Sequence, residues 1–309
     1  MIFPYRMDHE IQRLPILTLA VCLLCALTFL FQYVSESHYK RKLADFCLDG
    51  IDAPQKAILN HIQDADLGTG CEQVFPSLRQ STQQDALLDK LGTEVSGIAY
   101  YLDPEQNLRF NRERLKAGFA GFQSSVPDQL TDKLVYRPES HDPVTMFTST
   151  FAHATWDHLV GNLFFFFAFA CCVECLLGRM AVAACFAAMV FACNLVYSRA
   201  AMATGNHPTL GLSGVAMGMM AMAAVLLPTG RISFFVLSPY MIRTISAPVL
   251  RIAGLFVVLN IVEFWLHADT HINYVLHIAG VATGVLLGAG FRMFAPARLL
   301  AVEKAKAHP

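Results

Sequence analysis

A hydroxyl stands at the head of an apolar run. "GLSGVAMG" (211–218) carries Ser213 between glycines and continues into "MMAMAAVLLP". A second run, "HIAGVATG" (277–284), opens on His277, and a third, "HATWDHLVGN" (153–162), holds His153, His158 and Asn162. Polar side chains are costly in a hydrocarbon setting and usually serve a purpose there. A serine becomes a nucleophile when a base such as imidazole lies within about 3 Å. A helix N-terminus offers free N–H groups to developing negative charge, and an asparagine amide can add another donor. Each residue alone has a plainer reading. Serine in a span often bonds back to the i−4 carbonyl, and asparagine often holds two helices together. Three groups together point to acyl transfer with Ser213 as nucleophile and His277 as base, and with Asn162, His158 and the Ser213 N–H around an oxyanion.

The elements that must position these groups can be read from spacing. His158 and Asn162 are four apart and share a helix face, whereas His153 falls on the turn before that helix. Ser213 starts a span, and His277 is expected about two turns inside another. Gly280, Gly284 and Gly288 follow His277 at i+3, i+7 and i+11, and Gly214 and Gly218 follow Ser213. Small residues at such spacing let two backbones approach closely in lipid, which would bring the hydroxyl to the imidazole.

The surrounding composition is that of a membrane protein. Of 309 residues, 55% are hydrophobic and 15% charged. Residues 35–145 hold 29 of the 47 charged side chains. Six segments are long enough to cross a lipid bilayer, at 15–34, 158–178, 180–198, 211–228, 247–267 and 271–292. The first is read as a retained helix rather than a cleaved leader, because no small-x-small site follows it. "ISFFVLSPYM" (232–241) is too short to span and reads as an interfacial or loop segment. Basic residues such as Arg13, Arg179, Arg231, Arg243, Arg251 and Arg292 fall on one side, which places both termini in the cytoplasm. "YKRK" (39–42) runs against that assignment, but long segments translocate regardless of charge. A net charge of −1 gives no nucleic-acid surface.

Seven cysteines lie in spans, leaving Cys47 and Cys71 in the polar segment as a possible disulfide of an oxidising compartment. Two free thiols are the alternative. The cluster Cys171, Cys172 and Cys175 has no histidine near it in sequence, so no metal is expected. The domain reading is a cytoplasmic tail (1–14), a first transmembrane helix (15–34), a mostly helical extracytoplasmic accessory domain (35–145), a five-span membrane core (146–292) and a second tail (293–309). Within the accessory domain, "DAPQKAILNHIQDA" and "QQDALLDKL" have helical spacing, with Asp52 ahead of Pro54 as a start signal. "GIAYYLD" is a candidate strand.

The three motifs together resemble the rhomboid family of intramembrane serine proteases, over span one and residues 146–292. The family pattern is His-x4-His-x3-Asn, then Gly-x-Ser-Gly, then His with spaced glycines. The resemblance implies an all-α, six-helix bundle, here with a large insertion between spans one and two. It implies a Ser213–His277 dyad without a third acid and an oxyanion hole of Asn162 and His158. His153, Gly211 and Gly214 would support the active-site cavity. Gly218, Gly280 and Gly284 would pack helices, and Glu174 of "VECLLG" would be structural. The substrate would be another protein's transmembrane segment, entering beside spans two and five and cut near the outer face, with no cofactor. Compact loops and plain tails suggest a bacterial inner membrane. Val144-Thr145 stand where many members have Trp-Arg, and Met217 stands where an aromatic often backs the catalytic histidine. A silent, client-binding relative and a small transporter are the competing classes. Asn260 and Glu263 in span five have no role in this scheme.

Overall fold

The apolar runs fold as helices. The computed structural model describes residues 2–7, 14–62, 67–81, 83–95, 103–204, 207–238, 241–266 and 273–294. The helices are α1 (Ile16–Asp49), α2 (Ala53–His61), α3 (Cys71–Gln80), α4 (Gln84–Glu94), α5 (Pro104–Ser125), α6 (Leu130–Leu134), α7 (Pro143–Thr148), α8 (Trp156–Leu177), α9 (Arg179–Thr204), α10 (Ser213–Leu226), α11 (Val249–Leu266) and α12 (Tyr274–Phe294). Five of them, α1, α8, α9, α11 and α12, are long and apolar enough to cross a bilayer, and α10 is a shorter apolar helix. By contact the chain divides into two compact units, Met1–Gln32 with Thr131–Pro309, and Tyr33–Leu130.

In the first unit α10 is the hub. It packs against α8, α9, α11 and α12, and every residue of it except Ser213 and Val225 is buried. That explains its composition. A helix enclosed by other helices needs no polar face. Glycine and alanine let neighbours close in, and Met217, Met219, Met220 and Met222 fill irregular gaps. The closest approach is to α12. A Cβ on Gly280 would lie 2.0 Å from the Gly214 carbonyl oxygen, and one on Gly284 would lie 2.1 Å from that of Gly218. No larger residue fits either position without moving a backbone. Glu174 on α8 fixes the start of α1. Its carboxylate accepts the Leu17 N–H (2.9 Å), the Thr18 N–H (2.8 Å) and the Thr18 hydroxyl (2.6 Å), meeting donors that the first helical turn cannot satisfy itself.

The second unit is a small helical domain built on the end of α1 with α2 to α5. Phe46, Phe119 and Phe122 surround Phe75 with ring centroids 5.7–6.2 Å away. Asp52 caps α2 in a reciprocal box with Gln55, both bonds 2.8 Å. Arg79 lies 4.0 Å over the Phe122 ring and donates to the carbonyls of Phe122, Val126 and Pro127 at the end of α5. Cys47 and Cys71 are joined as a disulfide, Cα atoms 5.7 Å apart.

Four expectations change. The all-α reading omits a three-stranded antiparallel sheet of order β1-β2-β3, from β1 (Ile2–Met7), β2 (Arg231–Ser238) and β3 (Met241–Pro248). Residues 232–241, read as a loop, supply most of β2 and enter β3, and the expected tail 1–14 contains β1. The run is too short for a span but long enough for a hairpin arm. Pro4, which cannot donate to a ladder, sits on the edge strand beside a register shift. Secondly, α1 continues to Asp49 rather than stopping at residue 34. Thirdly, the second unit ends at Leu130, not 145. Tyr136, fully buried, pairs with Thr209 and bonds to the Ser198 hydroxyl, which holds that stretch in the first unit. Fourthly, α12 begins at Tyr274, so His277 stands in its first turn rather than two turns in. The Asn273 side chain accepts the Leu276 N–H (3.1 Å) and sets that start. The candidate strand "GIAYYLD" lies outside the described residues except for Asp103, which caps α5. The tail 293–309 lies outside them beyond Phe294.

Candidate active site

The loop entering α10 sets the site. Gly211 has φ +117°, a conformation that side-chain-bearing residues rarely adopt. Its N–H donates to the Ser149 carbonyl (2.8 Å). A Cβ there would lie 2.9 Å from two atoms of the His158 ring and 3.5 Å from Asn162 Nδ2. The chain therefore passes directly against both side chains two residues before Ser213. Ser213 is the first residue of α10, half-buried, and no described side chain caps that end. The first N–H groups of the helix are thus left for another acceptor.

His158 and Asn162 stand one turn apart on α8, whose start is capped by Thr155 through the His158 N–H (3.2 Å). Asn162 Nδ2 is buried and has no hydrogen-bond partner among the described residues. Buried amide donors are nearly always paired, and one left free beside a candidate nucleophile is available to a developing charge. His153 lies in the turn ahead of α8, outside the spanning helices. Its Nδ1 meets the Phe151 carbonyl (3.2 Å), its N–H donates to Gln32 Oε1 (3.0 Å), and its ring is 5.2 Å from that of His158. Burial, with His158 alongside, pushes the His153 imidazole down to about 4, so it is neutral at physiological pH.

The close α10–α12 contact brings in His277. A Cβ on Gly214 would lie 3.2 Å from the Leu276 carbonyl oxygen, so the residue after Ser213 touches the residue before His277. No hydrogen bond joins Ser213 and His277 themselves. Such bonds commonly tighten only around substrate. The His277 Nδ1 instead meets Asn260 Oδ1 on α11 at 2.6 Å, and the Tyr274 ring stands edge-on, centroids 6.2 Å apart. Met217 is buried in the α10 core.

Ser213, His158, Asn162, Gly211 and Gly214 therefore gather at one end of α10, with His277 across the helix contact and His153 behind His158. Gly218, Gly280 and Gly284 lie in the helix–helix seam, and Cys47 and Cys71 belong to the other unit. Gln32, which the motifs do not single out, bridges His153 and the Thr131 hydroxyl (2.9 Å) from a buried position on α1. Its only signal in sequence is a glutamine in an apolar span. Among the described residues no three His, Cys, Asp or Glu are grouped to hold a metal. Compared with known families, residues 140–294 match the Rhomboid domain model. No curated protein matches the chain.

Proposed function

Because the chain belongs to the rhomboid family, we propose that this integral membrane protein is an active intramembrane serine endopeptidase. Ser213 Oγ attacks the scissile carbonyl while His277 Nε2 takes its proton. The tetrahedral oxyanion is met by the Ser213 N–H and Asn162 Nδ2, with His158 beside them. His277 then returns the proton to the leaving amine, and a water activated by the same imidazole releases the acyl-enzyme. His153 and Gln32 hold the wall behind His158. The substrates are transmembrane segments of other proteins, admitted beside α8 and α11, where Phe165 and Phe256 meet edge-on at 4.6 Å.

One observation carries this reading: the uncommitted Asn162 amide donor beside an uncapped helix end that begins with serine. A packing asparagine would be paired. A donor left free matches a charge that exists only during reaction. The distribution of basic residues and the Cys47–Cys71 disulfide support cytoplasmic termini and an extracytoplasmic second unit, in a bacterial inner membrane.

The test is cleavage of a single-span substrate in liposomes by the wild type, Ser213→Ala and His277→Ala, with fluorophosphonate labelling alongside. Cleavage and labelling by the wild type and neither variant is the expected result. No labelling of folded wild type would replace this reading with a client-binding relative that does not cleave.

A further inference from the structure

Asn260 lies half-buried on α11 and reaches α12 through one atom. Its amide is held at both ends. Nδ2 donates to the Phe256 carbonyl one turn back, at 2.9 Å, and Oδ1 meets His277 Nδ1 at 2.6 Å. The first bond fixes the orientation of the second. A carbonyl can only accept, so the amide end facing Phe256 must be NH₂ and the end facing His277 must be oxygen. An oxygen can only accept as well, so His277 Nδ1 must carry the proton. The remaining nitrogen, Nε2, is then a free base.

We propose that Asn260 is a positioning residue for His277, holding the imidazole in the Nδ1–H tautomer with Nε2 open toward Ser213. The proposal rests on the protease reading above and deepens it, adding an amide behind the Ser–His pair. The alternative, an asparagine that merely joins two helices, would place its free oxygen on a hydroxyl or another donor of α12. The free end lies instead on the side chain assigned as base, 2.6 Å from its Nδ1. A neutral amide suits this site. It orients the ring without adding a charge, whereas a carboxylate would favour the imidazolium. Among the described residues, the titratable groups that face His277 are His158 from α8 and Tyr274 from its own helix. α10 carries no titratable side chain, and Glu263, one turn beyond Asn260, is exposed.

The experiment has two readouts. Histidine ring ¹⁵N shifts of the full-length protein in micelles, with His277 assigned by difference from His277→Gln, report the tautomer whether or not the protein cleaves. The wild type should show Nδ1–H, and Asn260→Ala should lose that preference. An Nε2–H tautomer in the wild type overturns the proposal and leaves the protease reading standing. In kinetics, Asn260→Ala should lower kcat and the fluorophosphonate labelling rate about 10- to 100-fold with KM nearly unchanged. Asn260→Asp should restore much of the rate while moving the acid limb of the pH profile to higher pH. An Asn260→Ala variant that labels and cleaves like the wild type refutes the positioning role, whereas wild type that never labels refutes the protease reading alone.

Discussion

Gly280 and Gly214 meet backbone to backbone: a methyl group on Gly280 would sit 2.0 Å from the Gly214 carbonyl oxygen. The two residues flank the proposed dyad, Gly214 directly after Ser213 and Gly280 one turn after His277. Gly280→Ala must therefore push α12 away from α10. Overpacking of this kind costs about 1–3 kcal/mol, and the displaced imidazole should lower labelling of Ser213 by more than the stability loss explains. Gly290→Ala on the same helix, where a Cβ meets nothing within 4 Å, is the control and should leave both unchanged or slightly improved.

Asn162→Ala should separate activity from folding. The Nδ2 group has no partner to lose, so thermal stability should hold or rise. Removal of an oxyanion donor lowers kcat about 100-fold or more. A large drop in melting temperature with little change in kcat would assign Asn162 to packing instead.

Glu174→Ala should act on stability alone. It strands two backbone donors and a hydroxyl at the start of α1, at a cost of about 1–3 kcal/mol for each buried group left unpaired. Glu174→Gln keeps one acceptor and should fall between the two. Thermal unfolding in detergent measures both, and labelling of Ser213 below the melting temperature should persist.

Reduction of Cys47–Cys71, or the double serine variant, should destabilise the second unit by about 3 kcal/mol, given a sequence separation of 24 residues. Thiol-reactive labelling of intact cells checks the compartment as well. Both cysteines should resist a maleimide until a reductant is added.

What the sequence disclosed follows from the range of the forces involved. Helix faces are set by neighbours three and four residues away. His158 and Asn162 could thus be placed together, and Asp52 ahead of Pro54 could be read as a helix start. The glycines after His277 signalled a close contact because only a partner backbone explains their spacing. The depth of His277 differs by a turn from the apolar spacing because it depends on the cap at Asn273, which no apolar count registers. The sheet was hidden for a different reason. β1 and β2 are more than 200 residues apart, with Ile2 opposite Val236, and nothing local in "IFPYRM" names its partner. Asn260 was visible as a polar residue in an apolar helix, but its pairing with His277 exists only once α11 is laid on α12.

The length of α10 has one further consequence. Its 14 residues extend about 21 Å, against about 30 Å of hydrocarbon in a typical bilayer. A helix that stops short, at an end whose N–H groups are uncapped, cannot border on acyl chains there, because those groups need an oxygen to meet. On the reading proposed above, water or a substrate carbonyl would supply that oxygen. On the same protease reading, the short helix would set the site below the level of the lipid surface, and a peptide bond drawn to it would leave a medium where hydrolysis has no reagent for one where the reagent is at hand.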